Sequence, residues 1–195
     1  MLFSIEQKTL GRVKSQMRKL LIGLSSLVIF LNLLQAKTVV VVGSGSGVFI
    51  AENTILTANH VVRLADKVKI GIDGEETIGN VVKRYVTLDM ALIEVEGKHK
   101  YAKLRLNPKL GERVYIVSAP GGHYEDVVLF GRVAAITAKW LLVDAKVIAG
   151  SSGGAIFDTR GRLLGIVKSG YGSTRMGDWL LTAIPAKTIK QFLEE

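Results

Sequence analysis

An all-β fold is what the 195-residue sequence predicts, and three observations carry the prediction. Beyond residue 37 the apolar runs are short and broken, each closed by Gly, Asn, Asp or charged turns. There is no alternating strand–helix rhythm and no internal repeat. Only two stretches in that region have helical character. About a dozen β-rich segments at such close spacing point to a sandwich or a barrel.

In chain order, TVVVV (38–42), GVFI (47–50) and TILTA (54–58) are apolar and largely β-branched, with Gly, Ser, Glu and Asn between them. NHVVRLA (59–65) is one or two helical turns after Asn59. VKIGI (68–72), IGNVVKRYV (78–86) and ALIEV (91–95) continue the strand series, followed by RVYIVSA (113–119), VVLFGRVAAI (127–136) and WLLVDA (140–145). GAIF (154–157), LLGIV (163–167) and WLLTAI (179–184) complete it, and PAKTIKQFLEE (185–195) is an amphipathic helix with Pro185 near its start. The run GSGSG (43–47) has G-x-G-x-G spacing and leads into a strand, so it reads as a hairpin and not as a phosphate-cradling loop.

The N-terminus differs from the rest. A basic flank containing Arg18 and Lys19 precedes an apolar run from Leu20 to Leu34. Fifteen residues are short for a membrane span, which needs about 20, but suit the apolar section of a secretory signal. Ala36 supplies the small residue of a cleavage site, and Met17 would start a compact signal of its own. Uncleaved, residues 20–36 would anchor the chain in the membrane as a hydrophobic helix. Either way residues 37–195 are expected to be exported and to form the working domain, with 1–36 as signal peptide or anchor.

Composition narrows the chemistry. With no cysteine there is neither a disulfide framework nor a thiolate metal site. Of the formal charge of +9, residues 37–195 hold 21 bases against 16 acids, with no basic helix and no aromatic-rich stacking motif, so nucleic acid is not an expected partner.

A nucleophilic serine needs a base, a group that orients the base, and amide donors for the oxyanion. Ser152 lies in G-S-S-G-G, where Gly150 lets the backbone turn so that the amides of Gly150 and Ser152 face one point. The glycines that follow let a substrate carbonyl approach with no Cβ in the way. His60, directly after the TILTA strand, is the candidate base, whereas His99 and His123 lie in polar loops and read as exposed. Asp89 borders the ALIEV strand, where a carboxylate needs a partner, and would accept from the imidazole. The order His, Asp, Ser, each at a strand edge in an all-β chain, is the one that goes with paired barrels.

TANHVV, DMALIEV and VDAKVIAGSSGGAIFDTRGRLLGIV resemble the three signature segments of chymotrypsin-fold serine proteases, and most of all the protease domain of the bacterial HtrA/Deg family. GSGSGVFIAENTILT, YIVSAPGG and TAIPAKTIKQFLEE extend the likeness over residues 40–195. The resemblance implies two packed six-stranded β-barrels with a short C-terminal helix and an active cleft between them. It implies His60 as base, Asp89 as orienter and Ser152 as nucleophile. It also implies oxyanion amides at Gly150 and Ser152, a polypeptide substrate, and no metal or organic cofactor. Where the family carries Asp or Asn before the nucleophile this sequence has Ser151, and where HtrA proteins often carry Pro it has Ala149. Both substitutions imply a looser loop with an oxyanion hole that is not preformed. The sequence ends at Glu195 without a following PDZ domain, which implies no tail-binding module.

By the same resemblance the primary pocket is walled by residues 146–149 and 166–169. Val147, Ile148, Val167 and Ser169 suit a small or medium apolar side chain, while Lys146 pointing inward would select an acidic one. IVKSG offers an edge for a substrate strand. A catalytically inactive binding module on the same fold is the alternative reading, and the sequence does not fix an oligomeric state.

Overall fold

The structure, a computed structural model, describes residues 38–120, 127–172 and 179–195. The expected signal or anchor helix and His123 lie outside the described residues. Among the described residues no helix is long and apolar enough to cross a membrane.

Among the described residues twelve strands form two closed barrels. The first contains β1 (Val39–Val42), β2 (Gly45–Ala51), β3 (Thr54–Ala58), β4 (Lys67–Ile72), β5 (Glu75–Tyr85) and β6 (Met90–Glu94), in the order β1-β2-β3-β6-β5-β4. The second contains β7 (Arg113–Ser118), β8 (Val127–Ile136), β9 (Leu141–Asp144), β10 (Ala155–Asp158), β11 (Leu163–Gly172) and β12 (Trp179–Pro185). Around its ring it reads β7-β8-β9-β12-β11-β10, so the first barrel's topology recurs six strands later. Closure leaves neither sheet an open edge. Register shifts in β5, β8 and β11 supply bends of the kind that closure requires.

Within several strands the apolar residues do not alternate with polar ones, because those strands are buried on both faces. In β6, Ala91 and Ile93 fill the first barrel while Met90 and Leu92 face a shared core between the barrels. In β10, Ile156 fills the second barrel while Ala155 and Phe157 join the shared core. The C-terminal helix α2 (Ala186–Glu194; α1 is Asn59–Val62) adds Ile189 and Phe192 to that shared layer. Lys83 of β5 crosses the junction: its ammonium donates to Phe192 O at 2.6 Å and lies 4.7 Å from the Phe192 ring centroid. At the end of β10, Asp158 is buried and held by the side chains of Arg105 and Arg162.

Two local expectations need correction. His99 is half-buried, its ring stacked on Phe49 at 4.4 Å between centroids, because backbone bonds from His99 N to Glu52 O and Ala102 N to Phe49 O lay its loop along the first barrel. Val86, expected at the end of a strand, begins a 3-10 turn (Val86–Leu88) that leads into Asp89.

Candidate active site

Helix α1 is a single turn and cannot stabilise itself, so its orphan amides need partners from elsewhere. Asp89 supplies them. Its carbonyl accepts the Asn59 N–H at 3.0 Å and its Oδ1 accepts the His60 N–H at 2.8 Å. The carboxylate thus caps a helix to which it is not joined in sequence. Asp89 reaches this position with a φ of +62°, a left-handed conformation that Asp tolerates better than most residues. Its second oxygen, Oδ2, lies 2.8 Å from His60 Nδ1, which directs Nε2 of the half-exposed ring away from the carboxylate. At the other end of α1 the Arg84 guanidinium donates to Arg63 O at 2.6 Å and to Ala65 O at 2.5 Å. Both ends of the turn carrying His60 are therefore fixed by β5 and its continuation.

Ser152 lies on the loop before β10, in the second barrel. Its hydroxyl donates to Lys168 O at 3.2 Å, and among the described residues no hydrogen bond joins it to His60. Gly150 has a φ of +89°, and a Cβ there would fall 2.8 Å from Pro120 Cβ, so glycine is required on both backbone and packing grounds. The amides of Gly150 and Ser152 donate to no acceptor among the described residues, while the intervening Ser151 N–H bonds Ile148 O at 3.1 Å.

Ser151 does not loosen this loop. It is fully buried, and its hydroxyl lies 3.1 Å from Ser118 Oγ. The following glycines also have a different reason from the one expected. A Cβ on Gly153 would collide with Ser46 O and Thr57 Oγ1, and one on Gly154 would fall 2.8 Å from Val117 O. They make room for supporting strands beneath the loop, not for a substrate above it.

The cleft between the barrels has a volume of about 380 Å³. Its walls include His60, Asp89, Gly150 and Ser152, and also Val147, Ile148, Val167 and Ser169, so these eight residues singled out from the sequence are brought to one place. Lys146 is exposed and does not belong to that lining. A Cβ on Gly170 would touch Val147 Cγ2 at 3.4 Å, so the two apolar walls approach closely. Lys168 lines the cleft as well, at a register shift in β11, with its ammonium 4.3 Å from the Trp140 ring centroid. Sequence reasoning missed Ser46, which lies beneath the Ser152 loop. Its signal was one of two serines alternating with glycines, a pattern which in isolation reads as a turn.

Residues 45–166 match the family model described as trypsin-like peptidase domain. A probable periplasmic serine endoprotease, DegP-like, from Ectopseudomonas mendocina is 31% identical over 77% of this chain and 34% of its own length. The periplasmic pH-dependent serine endoprotease DegQ of Escherichia coli is 28% identical over 77% of this chain and 37% of its own. The chain thus spans about a third of the length of these relatives. A crystal structure of the serine endoprotease from Yersinia pestis superposes with a TM-score of 0.74 at 25% identity, covering 82% of this chain and 62% of that one. With well over half of its length matched to the family model, and the double-barrel frame shared with a solved relative, the chain belongs to the trypsin-like peptidase domain family.

Proposed function

We propose that the protein is an exported serine endopeptidase that hydrolyses polypeptides through an acyl-enzyme on Ser152. The observation that carries this reading is the Asp89–His60 pair, bonded at 2.8 Å, on the wall of the cleft that also presents Ser152. The Asp89 carboxylate keeps the ring proton on Nδ1, leaving Nε2 free to act as base. On substrate binding, rotation of Ser152 about χ1 moves its hydroxyl from Lys168 O to His60 Nε2. Such bonds are commonly made only in the Michaelis complex.

His60 then takes the hydroxyl proton as Oγ attacks the peptide carbonyl. The amides of Gly150 and Ser152 receive the oxyanion, each donor contributing about 10²–10³ in rate. Collapse of the tetrahedral species expels the amine, which leaves with the proton from His60. Water, activated by the same base, releases the acyl group and restores Ser152.

Val147, Ile148 and Val167 line the cleft beside Gly170 and fit a small or medium apolar side chain before the scissile bond. The 168–170 segment of β11 offers backbone groups for an extended substrate. The periplasmic descriptions of the relatives, together with the basic-then-apolar N-terminus, support export of a working domain spanning residues 37–195.

Labelling with a fluorophosphonate probe tests the reading. Wild type is expected to label and to cleave casein or a fluorogenic peptide, and Ser152→Ala to do neither. An unlabelled, inactive wild type would return the chain to the inert-module alternative, and labelling that persists in Ser152→Ala would place the nucleophile elsewhere.

A further inference from the structure

The two carbonyls of the residues whose amides face the proposed oxyanion are held by one side chain and backbone from the opposite barrel. Ser46 of β2 donates its backbone N–H to Ser152 O at 2.8 Å. Its hydroxyl donates to Gly150 O at 2.8 Å and accepts the Ala119 N–H at 3.0 Å. Ser46 is completely buried, and its own carbonyl accepts the Thr57 hydroxyl at 2.6 Å. All of its polar atoms are therefore engaged, and three of those bonds reach the second barrel.

We propose that Ser46 is a positioning residue for the oxyanion hole, clasping the Gly150–Ser152 loop so that both amides are set before substrate arrives. The inference rests on the acyl-enzyme reading of Ser152. Gly150 has no Cβ to restrict it, so its peptide planes are the most easily rotated in the loop. Fixing its carbonyl holds the Gly150–Ser151 peptide plane and, within that plane, preserves the Ser151 N–H bond to Ile148 O. The Ser46 hydroxyl is suited to the task because it both donates and accepts, tying Gly150 to the end of β7 in one step. Ser151, bonded to Ser118 at that same strand end, holds the middle of the loop. The loop thus stays in place without a charged anchor on Ser151.

Ser46→Ala tests this. Oxyanion stabilisation acts in the transition state, so kcat should fall roughly 10- to 100-fold, less than the ~10²–10³ that loss of a donor itself costs, with KM within twofold. The affinity of a peptide aldehyde, whose adduct carries the oxyanion, should fall by the same factor. The pH midpoint of kcat/KM should stay where it is in wild type. Asp158→Asn, which loosens the second barrel away from the cleft, should retain kcat at a temperature where it is folded. Should Ser46→Ala fail to fold, Ser46→Cys keeps the volume with a weaker donor, and the same kcat loss with unchanged KM is expected of it. A folded Ser46 variant with wild-type kcat and aldehyde affinity overturns the proposal, as does a loss confined to KM. A wild type inert to fluorophosphonate overturns the underlying protease reading instead, so the two failures are distinct.

Discussion

Asp89→Asn separates the two tasks of one carboxylate. In the native site Oδ1 accepts the His60 backbone N–H and Oδ2 meets Nδ1 of the same residue, both at 2.8 Å. An asparagine has one acceptor oxygen and one NH2 group. The backbone N–H can only donate, so the amide oxygen must stay on it and the NH2 must fall against Nδ1. Nδ1 is then forced to accept, the ring proton moves to Nε2, and the base can no longer take the serine proton. The loss should be about 10⁴ in kcat, or about 5 kcal/mol of transition-state stabilisation at roughly 1.4 kcal/mol per decade.

Stability should scarcely change, because the cap on α1 keeps its acceptor. Asp89→Ala removes the cap too and should cost about 1 kcal/mol more in stability, a further drop of roughly 2–4 °C in Tm for a domain of this size. Peptide hydrolysis gives the rate, thermal unfolding gives the stability, and the imidazole 15N shifts give the tautomer. Asp89→Asn with more than a tenth of wild-type activity, or with the proton still on Nδ1, would refute the reasoning.

Two further outcomes follow from packing and charge. Gly153→Ala places a Cβ against Ser46 O and Thr57 Oγ1 at a φ of +84°. The left-handed backbone costs about 1–2 kcal/mol, and separating Ser46 from Thr57 adds a buried hydrogen bond's worth, about 1–3 kcal/mol. Tm should fall by roughly 4–20 °C with activity lost, and a wild-type Tm would contradict the close approach. Burial alone would push the Asp158 carboxyl up. Bonds from the Arg162 backbone and guanidinium and from the Arg160 backbone outweigh it, leaving the group below the usual carboxylate range. The folded state therefore binds this proton less readily than the unfolded chain, so the network's contribution is whole above about pH 4 and fades as pH falls further. Urea midpoints of wild type and Asp158→Asn should converge below that pH, and a constant gap down to pH 2 would exclude this role for Asp158.

Much of this architecture was legible because burial leaves a mark in local composition. The twelve strands appear as apolar runs, and Asp89 and His60 stand out at the edges of two of them. The Gly-Ser motif around Ser152 was legible for the same reason. What escaped depends on distance along the chain. Ser46 and Gly150 are 104 positions apart, and nothing in GSGSG shows that its hydroxyl faces a loop in the other barrel. The recurrence of one topology in both barrels was equally hidden, since strand order is fixed by which apolar faces meet and many sequences satisfy it. β11 extends to Gly172, past the apolar LLGIV, because the register shift beside Lys168 turns the strand out into the cleft, where side chains need not be apolar.

The shared layer between the barrels has a consequence for the order in which function appears during folding. His60, Asp89 and Ser46 belong to the half that leaves the ribosome first, and Ser152 to the half that follows. Contacts between such distant segments form after local hairpins have closed. On the proposed acyl-enzyme reading, a nascent or half-assembled chain has the chemical groups but no aligned loop, so it could not attack its neighbours. On that reading, docking of the second barrel onto the first is the step that arms the site.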